Sequence, residues 1–233
     1  MPSAVAENLA RVRSEIAAAA HRSGRVERDV ELLAVAKGCK PEKILEAEDA
    51  GQSLFGENRV QEALQKIPLL PGRLTWDLIG HLQTNKIRKA LSLFRQLHSV
   101  DSLDLARQID RIAALEGVFP EIYLQVNIAG EIGKFGFDPD ELRREFEEIL
   151  ALKRLHLIGL MNIPPLASHP EDSRVHFARL REFRDSLAQE SGVPLPGLSM
   201  GMSDDYALAI EEGATVVRVG AAIFGPRSQT RVR

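Results

Sequence analysis

Hydrophobic and polar positions along this chain follow two periods that take turns. Leu9, Val12, Ile16 and Ala20 recur at helical spacing, so the first segment reads as an amphipathic helix. An apolar run over residues 30–37 follows and reads as a buried strand. Pro41 then opens a helix over residues 41–47 that stops at Gly51, with proline in the first turn and glycine past the end. The alternation continues to the end. Further strands are expected over residues 53–56, 74–80, 97–100, 122–127, 155–161, 198–202 and 215–224. The helices between them are expected over residues 59–66, 85–94, 103–115, 139–150, 173–189 and 204–212.

Eight strands, each but the last followed by a helix, predict a single (β/α)8 TIM-type barrel with an extra N-terminal helix, one domain over residues 1–233. That length is close to the roughly 250 residues usual for the fold. An open doubly wound sheet is the alternative, but no Gly-rich dinucleotide fingerprint follows the first strand. With 44% hydrophobic and 27% charged residues, a sizeable core is expected and disorder is not. A net charge of -3 gives no reason to expect a nucleic-acid or membrane partner. No apolar run nears the roughly 20 residues that span a bilayer. The run Ile16-Ala17-Ala18-Ala19-Ala20 is short and lies among Arg11, Arg13, Glu15 and His21, unlike a signal peptide. Cys39 is the one cysteine, so no internal disulfide can form, and a cytoplasmic protein is expected.

In such a barrel the working face is the carboxyl end of the strands. Lys37 stands there, at the end of the first strand. Burial disfavours an ammonium group and makes the amine a nucleophile toward aldehydes, as a Schiff-base lysine requires; the plainer alternative is a lysine whose stem packs while its head reaches water. The segment Met200-Gly201-Met202-Ser203-Asp204-Asp205 carries strand seven into a helix, with Ser203 at the expected cap. Strand eight supplies Arg218 and Gly220. Loops seven and eight are where barrels commonly hold phosphates. Asp204 and Asp205 must then point away from the anion. Arg218 interrupts an apolar strand and cannot lose its charge, so it needs an acceptor, either a buried acid such as Glu57 or a ligand. An aldehyde cofactor with a phosphate tail suits all three features, and pyridoxal 5′-phosphate has both groups. No His, Cys, Asp or Glu cluster has metal-ligand spacing, and no nucleophile elbow or P-loop is present. His98, His156, His169 and His176 read as surface or packing residues.

These segments together carry a family resemblance. Leu33-Ala34-Val35-Ala36-Lys37, Phe55-Gly56-Glu57-Asn58-Arg59-Val60-Gln61-Glu62 and Ile79-Gly80-His81-Leu82-Gln83-Thr84-Asn85-Lys86 come first. Val126-Asn127-Ile128, Lys134-Phe135-Gly136-Phe137 and Gly159-Leu160-Met161-Asn162-Ile163-Pro164 follow. Ser199 to Asp205 and Val217 to Gly225 complete the series. The chain resembles the pyridoxal-phosphate homeostasis protein family (YggS/PROSC-like), related to the N-terminal barrel domain of alanine racemase. The resemblance implies that Lys37 holds pyridoxal 5′-phosphate as an internal aldimine. It implies that Ser203 and the backbone at Gly220 and Ala221 hold the phosphate, that Arg218 faces the pyridine nitrogen, and that Asn58 and Met200 lie near the ring or phosphate. Lys134 matches a lysine discussed as a second cofactor-reactive group.

There are departures. Ala36-Lys37-Gly38 stands where many members have Ser-Lys-Thr, the loop to Pro41 is one residue longer, and Ala221 replaces a common threonine. Lys40 is therefore a rival to Lys37. A racemase needs an acid or base on each face of its substrate. In the resembling racemases the second is a tyrosine from a domain this chain lacks, and Tyr123 and Tyr206 are not well placed on the strand map. The expected function is reversible binding of pyridoxal 5′-phosphate in intracellular homeostasis without turnover, by a monomer that passes the cofactor to apo-enzymes. The alternatives are a small fold-type III amino-acid racemase, with His81 or a loop group as second base, and a cofactor-free phospho-sugar enzyme.

Overall fold

The computed structural model describes residues 2–226. Eight parallel strands close into a barrel in chain order: β1 (Glu31–Val35), β2 (Leu54–Glu57), β3 (Thr75–Leu78), β4 (Gln96–Val100), β5 (Glu121–Gln125), β6 (His156–Met161), β7 (Gly197–Ser199) and β8 (Val216–Val219). β1 pairs with β8 to close the ring, with Leu33 opposite Arg218. The expected barrel is therefore present. The helices are α1 (Ala4–Arg22), α2 (Pro41–Asp49), α3 (Val60–Lys66), α4 (Ile87–Leu93), α5 (Leu103–Glu116), α6 (Pro139–Leu150), α7 (Arg174–Ser191), α8 (Tyr206–Glu211) and α9 (Ala221–Phe224).

Two apolar layers stabilise the barrel. The larger fills the space between strands and helices, and includes Phe55, Ile109, Leu160, Phe177 and Val217. The smaller includes Leu33, Tyr123, Met161 and Val216. The leading helix belongs to the first layer. Ser3 caps α1 by accepting a hydrogen bond from the Ala6 amide at 3.2 Å. The buried face of α1, with Leu9, Val12 and Ile16, packs against α2, α8 and α9. Asn8 also donates to the carbonyl of Ile223 at 3.0 Å, and so tethers the last short helix.

Two boundaries differ from the sequence reading in ways that matter. β1 ends at Val35, so Lys37 lies in the following turn and is partly buried rather than inside a strand. Residues 221–224 form α9, not the end of strand eight. A short apolar run such as Ala-Ala-Ile-Phe does not distinguish strand from helix by pattern; here Gly220 breaks the extended run and caps the turn. No helix among the described residues is long and apolar enough to cross a membrane.

Candidate cofactor site

A cavity of about 350 Å3 opens at the carboxyl end of the strands. It brings together Lys37, Asn58, Ser203, Arg218, Gly220 and Ala221, all singled out in the sequence. Val35, Ile79, Ile163, Met202 and Phe224 give it apolar walls. The volume is at the small end of ligand pockets, and the mix of apolar walls with few polar groups is typical of them. A larger hollow of about 660 Å3 lies at the opposite face, near the first residues of β4, β5 and β6. Among the described residues its lining contains no lysine or arginine, and it includes Glu121.

Lys37 is fixed by its neighbours in the turn. The Gly38 amide donates to Glu62 Oε1 at 2.6 Å. On the other side, Lys66 Nζ donates to the Ala36 carbonyl at 2.7 Å. Lys66 is itself held by Glu57 and, at 2.7 Å, by Glu62. A buried ion-pair cluster thus grips the peptide groups on both sides of Lys37. Burial alone would push the Lys66 ammonium down, but the two carboxylates outweigh it and the net shift is upward. Burial raises the Glu57 carboxyl against the pull of Lys66. Glu57 is therefore not the partner of Arg218.

Arg218 is 3% exposed. Its Nη1 donates to the Ser199 carbonyl at 2.6 Å and to Ser199 Oγ at 2.9 Å, and its Nη2 to the Asn162 carbonyl at 2.7 Å. All three acceptors are neutral, and burial lowers the guanidinium to about 10, so it stays charged at neutral pH. A guanidinium has five donors. Arg218 therefore keeps N–H capacity for a ligand acceptor in the cavity it lines. Asn58 Oδ1 is buried with no partner among the described residues. An unsatisfied buried oxygen on the same cavity marks a place where a ligand donor or a water belongs.

Ser203 bridges the two loops expected to hold the phosphate. Its Oγ accepts from the amides of Gly220 at 3.1 Å and Ala222 at 3.3 Å. It is not the cap of α8, whose cap position is Asp205. Asp205 folds back to accept from the Met202 amide at 2.7 Å, while exposed Asp204 stays on the cavity rim. Gly201 permits this turn, because its φ of 90° is left-handed and a Cβ there would lie 2.6 Å from Ala209 Cβ.

Other expectations fall elsewhere. Met200 is fully buried in the layer under the helices, and Met202 lines the cavity instead. The chain turns at Gly201, so strand alternation cannot be carried through that loop. Lys134 is exposed in the β5–α6 loop and does not line the cavity. Lys40 is exposed at the start of α2. Cys39, read as a loop residue, lines the cavity, and burial pushes its thiol up, which keeps it protonated. His98 is a core residue, fully buried. Its place on the inner face was readable only from the alternation along β4. Among the described residues no group of acidic, His and Cys side chains could hold a metal.

Fold and cavity define a single-barrel protein with a partly buried lysine, a buried arginine and a loop pair suited to an anion. The family described as alanine racemase, N-terminal domain, matches residues 3–228. The pyridoxal phosphate homeostasis protein of Aquifex aeolicus is 44% identical, over 95% of this chain and 97% of its own. PipY of Synechococcus elongatus, in its structure with PLP bound, has 42% identity and a TM-score of 0.84, over 95% of this chain and all of its own. Alanine racemase of Clostridium difficile shares the fold at 18% identity and a TM-score of 0.75, and this chain covers only 57% of it. The chain belongs to the alanine racemase N-terminal domain family and, within it, to the pyridoxal phosphate homeostasis proteins.

Proposed function

We propose that this chain binds pyridoxal 5′-phosphate reversibly through Lys37 and serves in homeostasis of that cofactor rather than in turnover of an amino acid. The observation that carries the reading is the meeting of Lys37, Arg218 and Ser203 on one small cavity. When bound, the cofactor would supply an aldehyde, and Lys37 would be the amine that holds it. Ser203 and the backbone at Gly220 and Ala221 would hold its phosphate, and the Asn58 side chain would lie near the ring or phosphate. Arg218 would face the ring nitrogen, and a cation there would keep that nitrogen unprotonated and the ring a weak electron sink.

The racemase alternative is not favoured. It needs a second acid or base on the cavity. Tyr206 donates to Glu15 on α1, and Tyr123 packs on His98, with ring centroids 4.4 Å apart. His81 is held by Asp101 at 2.9 Å and stacks on Phe135. None of these lines the cavity. A single domain over residues 1–233, a cytoplasmic monomer, transfer to apo-enzymes and a secondary role for Lys134 belong to the same reading.

The test is an absorption titration with pyridoxal 5′-phosphate, followed by borohydride reduction and peptide mapping. An imine band with the reduced adduct on Lys37 is expected. Labelling scattered over surface lysines would overturn the reading. Ser203→Ala is expected to weaken binding about tenfold, the loss of one hydrogen bond to a charged group. Unchanged affinity would remove Ser203 from the phosphate site. Amino-acid Cα deuterium exchange that depends on Lys37 would restore the racemase.

A further inference from the structure

A line of buried polar side chains runs from Arg218 into the barrel. Ser199 Oγ, which accepts from Arg218, lies 2.9 Å from His98 Nδ1. His98 Nε2 lies 3.3 Å from Asp77 Oδ2 and 3.3 Å from Gln96 Oε1. Asp77 accepts two bonds from Arg95, at 3.0 and 2.8 Å, and Arg95 also pairs with Glu31 at the other face of the barrel. Asp77, His98 and Ser199 are buried to 1% exposure or less.

The proton positions follow from what each group can do. Arginine only donates, so Ser199 Oγ must accept from Arg218. Burial would raise the Asp77 carboxyl, but His98 and Arg95 hold it below its ordinary value, so it is ionised and only accepts. His98 Nε2 faces two acceptor oxygens, Asp77 and Gln96, and therefore carries the proton. Burial pushes this imidazole down, so it is neutral and its lone pair sits on Nδ1. The Ser199 hydroxyl must then donate to Nδ1. Every bond in the line points from Arg218 toward Asp77.

We propose that Asp77, His98 and Ser199 are positioning residues for Arg218, fixing the hydrogen-bond direction so that Ser199 presents only a lone pair to the guanidinium. This rests on reading the cavity as a pyridoxal 5′-phosphate site, and names what aims the cation at the ring nitrogen. A carboxylate in direct contact would occupy the guanidinium fork and remove the donors a ligand needs. The neutral Ser199 and His98 leave those donors on the cavity side, while the charge that offsets the cation is that of Asp205, not in contact with it.

The test has two parts. In protein without added cofactor, nitrogen NMR should show His98 with a protonated Nε2 and a bare Nδ1 in wild type. A protonated Nδ1 overturns the proposal, whatever the cofactor does. Cofactor titrations then compare Ser199→Ala, His98→Leu and His98→Asn, with melting temperatures to identify any variant that does not fold. Asparagine can place an amide oxygen where Nδ1 stands. About tenfold weaker binding and a displaced absorption band are expected for Ser199→Ala and His98→Leu, with both restored toward wild type in His98→Asn. Folded Ser199→Ala that binds with wild-type affinity and band position overturns the proposal, as does equal loss in His98→Leu and His98→Asn. If wild type shows no band, the cofactor reading fails, and the His98 nitrogens still decide the direction of the line.

Discussion

Lys37→Ala is expected to abolish the imine band completely. The amine nitrogen is the atom proposed to condense with the aldehyde, and among the described residues no other lysine lines the cavity. Residual binding through Ser203, Arg218 and the loop backbone should persist, because these groups serve the phosphate and ring nitrogen rather than the aldehyde. Borohydride reduction followed by mapping should then fix no cofactor at position 37. The fold should be little affected, since Lys37 is partly buried in a turn whose flanking peptide groups are held by Glu62 and Lys66. A full-strength band in this variant, with label moved to Lys40 or Lys134, would show that the reactive lysine was misassigned. Both are exposed and outside the cavity, so any reaction there should be weak and unsaturable.

Lys66→Met is expected to cost about 3–5 kcal/mol of folding stability, the usual consequence of removing one partner from a buried ion pair. Glu57, fully buried, would lose its cation, and the Ala36 carbonyl would lose its donor. The double variant Glu57→Gln, Lys66→Met should recover much of the loss, because it removes the stranded charge. The measurement is urea unfolding of the single and double variants, with cofactor affinity followed in parallel. Since the cluster grips both peptide groups flanking Lys37, the single variant should also weaken cofactor binding. A change below about 1 kcal/mol would mean that the pair is no better than a surface salt bridge.

The fold was largely legible because its cause is local. The alternation of buried runs with amphipathic helices survives in the linear sequence, and a regular strand–helix repeat admits few arrangements. The leading helix was legible from Leu9, Val12 and Ile16 for the same reason. Element ends were less so. The apolar residues 221–224 suited strand or helix equally, and only their position after Gly220 at the barrel mouth made them α9.

For the site, the sequence by itself determined the chemical types: a lysine at the end of the first strand, an arginine within the last, and a serine before the last expected helix. It also determined that Arg218 needs an acceptor, since an arginine in an apolar strand cannot shed its charge. Tertiary structure alone decided which acceptor. Glu57 was a reasonable partner on the linear map, but it is held by Lys66, nine positions away along the chain, while Arg218 turns to Ser199 and Asn162. It also decided that Met202 rather than Met200 faces the cavity, and that Cys39 joins it. The reason is physical: periodicity specifies which face of an element is buried, but barrel closure and turns such as that at Gly201 set which side chains from distant elements meet.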